Sequence, residues 1–125
     1  GLRALCKQND LSLVPLLTPT SSPARIEATR AAVRECPPGF VYYVSLTGVT
    51  GAAEAPLAEA GARALELRRA LGAPVVVGFG VDSPEKARAA AAADGVVVGS
   101  ALVRLVASGR NPSELIGALR GALDG

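Results

Sequence analysis

Four short apolar runs alternate with longer stretches of helical pattern, and this alternation limits the chain to few folds. The runs cover residues 11–17, 40–46, 75–77 and 96–98. They are largely aliphatic, β-branched or aromatic, with little apolar-to-polar alternation, which is typical of strands covered on both faces. The pattern therefore predicts a parallel sheet built from strand-helix units.

The helical stretches carry clear start signals. Residues 56–71 repeat apolar side chains every three or four positions, which gives one stripe to lay on the sheet. Stretches 100–107 and 112–123 both read as helices after the last strand. Three helices are predicted to begin with a capping side chain and then a proline at the first helical position: Ser22-Pro23, Ser83-Pro84 and Asn111-Pro112.

The repeat length sets the size of the complete fold. Val75 and Val96 lie 21 residues apart. Four units fill this chain, so eight need about 250 residues, the usual size of a (β/α)8 barrel. We therefore predict an α/β fold in which residues 1–125 form a single partial domain, half of a (β/α)8 TIM barrel. A flavodoxin-like sheet is the alternative, although such folds normally have five strands.

Composition excludes several functions. A net charge of +2, with basic residues scattered rather than clustered, predicts no nucleic-acid surface. Because the chain has no histidine, Cys6 and Cys36 cannot complete a Cys/His zinc site, and we expect two reduced thiols. No apolar run approaches the roughly 20 residues of a membrane span. The N-terminus resembles neither a signal peptide nor a translation start, so we expect a piece of a longer chain.

Glycines are frequent just after the predicted strands, where a parallel α/β fold places its ligand-binding or active site. Gly78-Phe79-Gly80 follows the third run, and Gly99-Ser100 follows the fourth and opens directly into a helix. A helix N-terminus has unpaired N–H groups and a positive dipole end, which favours an anion. If the four strands are the C-terminal half of a barrel, strands 5–8, the two turns follow strands seven and eight, which is the usual place of a barrel's phosphate site. The two inferences support each other, and we predict both.

Simpler explanations stay open for each feature. A glycine turn can serve the turn alone. Thr18, Thr20, Thr47 and Thr50 can satisfy local backbone groups. Tyr42 and Tyr43 point to opposite faces of one strand, so only one can line a central site.

Acid-base groups are missing from the expected site. Asp82 is the one carboxylate near it, and its place before the Ser83 cap is explained by the helix dipole. With no lysine, arginine or histidine in the turns, the segment is predicted to bind phosphate through backbone donors and the Ser100 hydroxyl, without proton transfer.

The motifs and their order resemble the tryptophan synthase α family. They read FVYYVSLTGVTG over residues 40–51, PVVVGFG over 74–80, Ser-Pro-Glu over 83–85 and DGVVVGSA over 94–101. The resemblance implies a barrel that cleaves indole-3-glycerol phosphate to indole and glyceraldehyde 3-phosphate by a retro-aldol step. It implies no catalytic residue here, because the family's glutamate and aspartate lie on and after the second strand, in the half that this chain lacks.

The resemblance also implies roles for eight residues. Tyr42 and Phe79 match the substrate pocket, and Thr50 matches the mobile loop after strand six. The implied phosphate-binding residues are Gly51, Gly78, Gly80, Gly99 and Ser100.

Partners and compartment likewise follow from the resemblance. It implies no cofactor in this subunit, a pyridoxal-phosphate-dependent β subunit as partner in an α2β2 heterotetramer, and neither nucleic acid nor membrane. The compartment is the cytoplasm in a bacterium or the plastid stroma in an alga or plant. A stand-alone indole-3-glycerol phosphate lyase and a noncatalytic half-barrel module remain alternatives. The isolated chain is expected to fold poorly or to self-associate, because its strand edges are open.

Overall fold

A computed structural model describes residues 1–45, 54–78 and 80–125, with the side chains of residues 54 and 55 excepted. The elements follow the predicted order of one helix and four strand-helix units. In chain order they are α1 (Leu2–Gln8), β1 (Leu16–Leu17), α2 (Pro23–Glu35), β2 (Val41–Val44), α3 (Glu54–Leu71), β3 (Val75–Gly78), α4 (Pro84–Ala89), β4 (Gly95–Val97), α5 (Ser100–Ala107) and α6 (Ser113–Asp124).

Local side-chain chemistry explains the helix starts. The Ser22 hydroxyl accepts a hydrogen bond from the Arg25 N–H at 3.2 Å, and the Ser83 hydroxyl accepts one from the Lys86 N–H at 3.3 Å. Both prolines that follow stand in the first turn, as predicted. The third start differs, because Asn111 accepts from the N–H of Ser113 at 2.9 Å and α6 begins at Ser113. Asn111 thus shapes the turn before the helix instead of capping its first residue.

The four strands lie side by side in sequence order, β1-β2-β3-β4, and all are parallel. In a flavodoxin-like parallel sheet the order of the strands reverses at a switch point, and helices cover both faces. A barrel adds each strand beside the last and keeps its helices outside. The flavodoxin alternative is therefore wrong, and the half-barrel prediction is confirmed.

One face of the sheet forms the core with the helices. Register and alternation place one set of buried strand side chains on a single face, in one cluster with residues of α2, α3, α4 and α6. That set is Leu17, Val41, Tyr43, Val75 and Val77.

The opposite face of the sheet is more exposed. Tyr42, Val44 and Val76 are half-buried, and Leu16 is exposed. The prediction of strands covered on both faces therefore holds on the helix side alone. In a complete barrel this second face lines the central interior and is covered by strands from across the barrel.

The first strand is shorter than its apolar run. Only Leu16–Leu17 pair as a strand, and Leu11, Leu13 and Val14 are exposed. Among the described residues β1 has one partner, β2, and it therefore lies at an edge of the sheet.

We expect the isolated 12.5 kDa chain to self-associate at micromolar concentration. Among the described residues β1 and β4 each have one free edge, and unpaired parallel strands with apolar neighbours bind other strands. Sedimentation velocity measures this directly. A sharply monomeric species with a cooperative thermal transition would contradict the expectation.

Asp94 fastens β3 to β4 at the end opposite the predicted site. Its carboxylate accepts from the Val75 N–H at 2.8 Å and its N–H donates to the Val75 carbonyl at 3.0 Å. The other carboxylate oxygen lies 3.2 Å from the Arg68 guanidinium. These contacts give Asp94 a role in holding the two strands together.

Replacing Asp94 with alanine is expected to lower the free energy of unfolding by about 1–3 kcal/mol, because the Val75 N–H loses its acceptor. Asp94→Asn keeps an acceptor and loses an ion pair with an exposed arginine, so it should cost less than about 1 kcal/mol. Urea denaturation of both variants tests this. Equal losses in the two proteins would show that the hydrogen bond contributes nothing of its own.

Tyr43 predicts a dependence of stability on alkaline pH. It is 4% exposed, and burial raises the pKa of its hydroxyl above the usual 10.0, an effect that Arg63 partly opposes. The neutral phenol therefore contributes stability fully below the unfolded pKa, and that contribution is lost as the pH rises through the higher folded pKa. We expect the free energy of unfolding to fall above pH about 10, and to fall less in Tyr43→Phe. Parallel pH profiles for the two proteins would refute this origin.

Candidate functional site at the carboxyl ends of the strands

The glycine turn after β3 starts beneath a tyrosine ring. Gly78 is the last residue of β3 and is buried, and a Cβ added to it would overlap the hydroxyl and Cζ of Tyr42. Tyr42 is therefore the tyrosine of the pair that faces the open side of the sheet, whereas Tyr43 lies in the core. The structure brings Tyr42 and Gly78, two of the predicted site residues, into contact.

Gly80 requires glycine for a different reason. Its φ of +81° lies in the left-handed region, which residues other than glycine rarely adopt. Two glycines at the end of β3 thus serve different needs, a close approach at Gly78 and a backbone conformation at Gly80. Phe79 between them lies outside the described residues, as do Thr50 and Gly51.

Gly99 has no such local reason to be glycine. Its φ is −118°, and a Cβ built on it meets nothing within 4 Å among the described residues. It caps the N-terminus of α5, without a side-chain capping bond, and both Gly99 and Ser100 are exposed. As far as the described residues show, the space beside Gly99 at this helix N-terminus leaves room for a ligand.

The first turn of α5 presents free donors to that space. Val103 is the first residue whose N–H bonds back into the helix, to the Gly99 carbonyl at 3.0 Å. The N–H groups of Ser100, Ala101 and Leu102 precede that bond, and a helix leaves such groups unpaired. The Ser100 hydroxyl has no hydrogen-bond partner within residues 1–45, 54–78 and 80–125. This arrangement can bind an anion through backbone donors, the helix dipole and one hydroxyl.

The two turns lie on neighbouring strands. Gly78 pairs with Val97 in the β3–β4 register, and Gly99 follows two residues later. Both turns therefore leave the same edge of the sheet, as the sequence predicted for Gly78, Gly80, Gly99 and Ser100. No ligand contact tests their roles, which remain predictions.

The threonines after β1 have a local explanation. Thr18 and Thr20 place their hydroxyl oxygens 3.0 Å apart, and Ser21 Oγ accepts from the Thr18 N–H at 2.9 Å. The Ser21 N–H in turn donates to the Thr18 carbonyl at 3.0 Å. These contacts support the structural interpretation of the threonines over the functional one.

Charged groups flank the candidate site without entering the turns. Asp82 forms an ion pair of 2.9 Å with Lys86, one helical turn later. A cavity of about 580 Å³ beside α5 is lined by Asp82, Ala101, Arg104 and Arg110, among others. Sequence reasoning missed Lys86 here, although its spacing of four from Asp82 was a usable signal.

Ser45 was also missed as a site residue. It directly follows β2, is 2% exposed, and donates its hydroxyl to the Gly78 carbonyl at 3.0 Å. A buried hydroxyl at the end of an apolar strand was the available signal, because such a group needs a partner.

The described residues contain neither a candidate metal site nor a candidate membrane span. Within the described ranges no group of three or more His, Cys, Asp or Glu side chains could hold a metal ion. None of the helices described is both long enough and apolar enough to cross a bilayer. Cys6 and Cys36 are free and partly buried.

Parallel strands in sequence order, helices on one face and glycine turns at one edge define the class of this molecule: half of a (β/α)8 barrel. The family model for the tryptophan synthase alpha chain matches residues 1–119. The chain belongs to the tryptophan synthase alpha chain family.

Relatives and solved structures agree with that membership. The tryptophan synthase alpha chain of Acidithiobacillus ferrooxidans is 47% identical over 119 residues, which are 94% of this chain and 42% of the relative. That of Geobacter sulfurreducens is 43% identical, over 97% of this chain and 47% of the relative. A crystal structure of the tryptophan synthase alpha chain from Legionella pneumophila has a TM-score of 0.72 and 28% identity, over 99% of this chain and 47% of that one. The chain thus spans less than half the length of these relatives.

Proposed function

We propose that this chain forms the phosphate-binding half of a tryptophan synthase α subunit, which cleaves indole-3-glycerol phosphate to indole and glyceraldehyde 3-phosphate. The observation that carries the proposal is the open N-terminus of α5 at Gly99, beside the turn that leaves β3 at Gly78. Its backbone donors suit a phosphate oxygen, and Ser100 adds a hydroxyl. Gly51, Gly80, Phe79 and Thr50 are proposed to complete the contacts on the basis of family membership.

The division of labour follows from what each half can supply. Cleavage requires an acid to protonate the indole carbon and a base to take the glycerol hydroxyl proton. At the described strand ends the carboxylate of Asp82 is paired with Lys86, so it is poorly placed for either task. Holding the phosphate fixes the reacting bond relative to catalytic groups elsewhere in the barrel. Those groups are proposed to come from the N-terminal half.

The wider assembly is proposed on family grounds. A β subunit carrying pyridoxal phosphate would receive the indole and condense it with serine, in an α2β2 complex, while the α subunit needs no cofactor. The relatives named above come from bacteria, which favours the cytoplasm as the compartment.

A hybrid chain tests the proposal. The N-terminal part of the Acidithiobacillus ferrooxidans relative would be joined to this chain at the matching position, since 47% identity favours compatible barrel contacts. The hybrid should bind inorganic phosphate and release indole from indole-3-glycerol phosphate. This chain alone should bind phosphate at most and release no indole.

The same experiment separates the other candidates. A folded hybrid that neither binds phosphate nor releases indole would favour a noncatalytic half-barrel module. The open edges of β1 and β4 in the described sheet are consistent with such a module, because they could pair with another half. Indole release that a β subunit neither accelerates nor consumes would favour a stand-alone lyase.

A further inference from the structure

Ser45 links the end of β2 to the start of the glycine turn. Its hydroxyl donates to the Gly78 carbonyl at 3.0 Å, and its backbone N–H donates to the same oxygen at 3.1 Å. The two residues are 33 positions apart in sequence, and Ser45 is 2% exposed. The backbone bond already pairs the two strands at this position. The hydroxyl therefore adds a second constraint on the position of the Gly78 carbonyl.

The turn after β3 needs support from outside itself. Glycine loses more conformational freedom on folding than any other residue, and two glycines lie here, Gly78, the last residue of β3, and Gly80. Because a peptide unit is planar, holding the Gly78 carbonyl sets the orientation of the peptide plane that leaves β3. The Tyr42 ring over Gly78 restricts the same residue from the open face of the sheet.

We infer that Ser45 is a positioning residue of the phosphate site, which holds the Gly78 carbonyl so that the carboxyl end of β3 stays in its binding geometry. The inference rests on the proposed function. Ser45 itself touches neither phosphate nor the reacting atoms and acts through Gly78.

The inference predicts a particular kinetic signature. A phosphate is held equally in the ground state and the transition state, so loosening its site weakens binding without slowing chemistry. In the hybrid chain, Ser45→Ala is expected to raise the KM for indole-3-glycerol phosphate and the Kd for inorganic phosphate by about three- to tenfold, with kcat within about twofold. Ser45→Thr retains a hydroxyl and should restore both constants.

Two further variants keep the test sharp. Ser45→Cys fills nearly the same space with a weak donor and should behave like alanine, even if threonine is too large for the site. Ser22→Ala also removes a serine hydrogen bond, the α2 cap, and should lower the melting temperature without changing phosphate affinity.

The possible outcomes separate this inference from the proposed function. Unchanged phosphate affinity in Ser45→Ala and Ser45→Cys would overturn the inference while the parent hybrid remains active. A fall in kcat and melting temperature at constant phosphate Kd would also overturn it, because the role would then be structural. A parent hybrid that does not bind phosphate would instead count against the proposed function.

Discussion

Gly78→Ala should lower the free energy of unfolding by about 2–3 kcal/mol, because the new methyl group overlaps the Tyr42 ring. The overlapping atoms include Cζ of the ring as well as the hydroxyl, so relief of the overlap requires the whole ring or the backbone to shift. Overpacked sites respond through shifted side chains or backbone, and here the backbone is that of the phosphate turn. Urea denaturation measures the stability loss, and phosphate titration should show weaker binding.

Two controls isolate the contact with Tyr42. In Gly117→Ala, on α6, the new Cβ meets no atom of the described residues within 4 Å, and the change should stabilise the chain by up to about 1 kcal/mol, as alanine does in a helix. A double-mutant cycle of Gly78→Ala with Tyr42→Ala should give a favourable coupling of about 1–2 kcal/mol, because the smaller side chain removes the overlap. Additive effects in the cycle would mean that the overlap is not the cause.

Gly99→Leu should have the opposite profile, with binding lost and stability kept. A Cβ at Gly99 meets no described atom within 4 Å, and the residue has no positive φ, so the free energy of unfolding should change by less than about 0.5 kcal/mol. The same side chain would occupy the space before the α5 N-terminus, where phosphate is proposed to lie. Loss of one hydrogen bond to a charged group costs about 1.5–3 kcal/mol, so the Kd for inorganic phosphate should rise at least about tenfold.

The size of the side chain provides an internal check. Gly99→Ala should weaken phosphate binding less than leucine does, and Gly117→Leu on α6 should leave binding unchanged. Calorimetric titration of the hybrid chain compares all three. An unchanged phosphate Kd in Gly99→Leu would mean that the anion binds elsewhere or does not bind to this protein.

Several site assignments were accessible from sequence because their causes are local. A capping serine and the proline after it act within three residues, so Ser22 and Ser83 could be identified without a partner from elsewhere in the chain. The helix start predicted at Asn111 was wrong by one residue, because α6 begins at Ser113. The error was small, since this cap too depends on neighbouring residues. Glycine turns after apolar runs likewise marked Gly78, Gly80 and Gly99.

Other parts of the site depend on distant contacts and were not predictable. Alternation showed that Tyr42 and Tyr43 face opposite ways, but not which of them meets the helices. That choice is made by α3 and its neighbours, which bury Tyr43. The role of Ser45 depends on a carbonyl 33 positions away.

The sequence by itself determined the strand-helix order, the helix starts, the positions of the turn glycines and the family, because each is set by side chains close together in the chain or by motif spacing. The tertiary structure decided the order of strands in the sheet, the side of the sheet that stays open, and the separate reasons for Gly78, Gly80 and Gly99. These depend on which strands and helices pack together, and such packing is a property of contacts between distant residues, which local propensity does not contain.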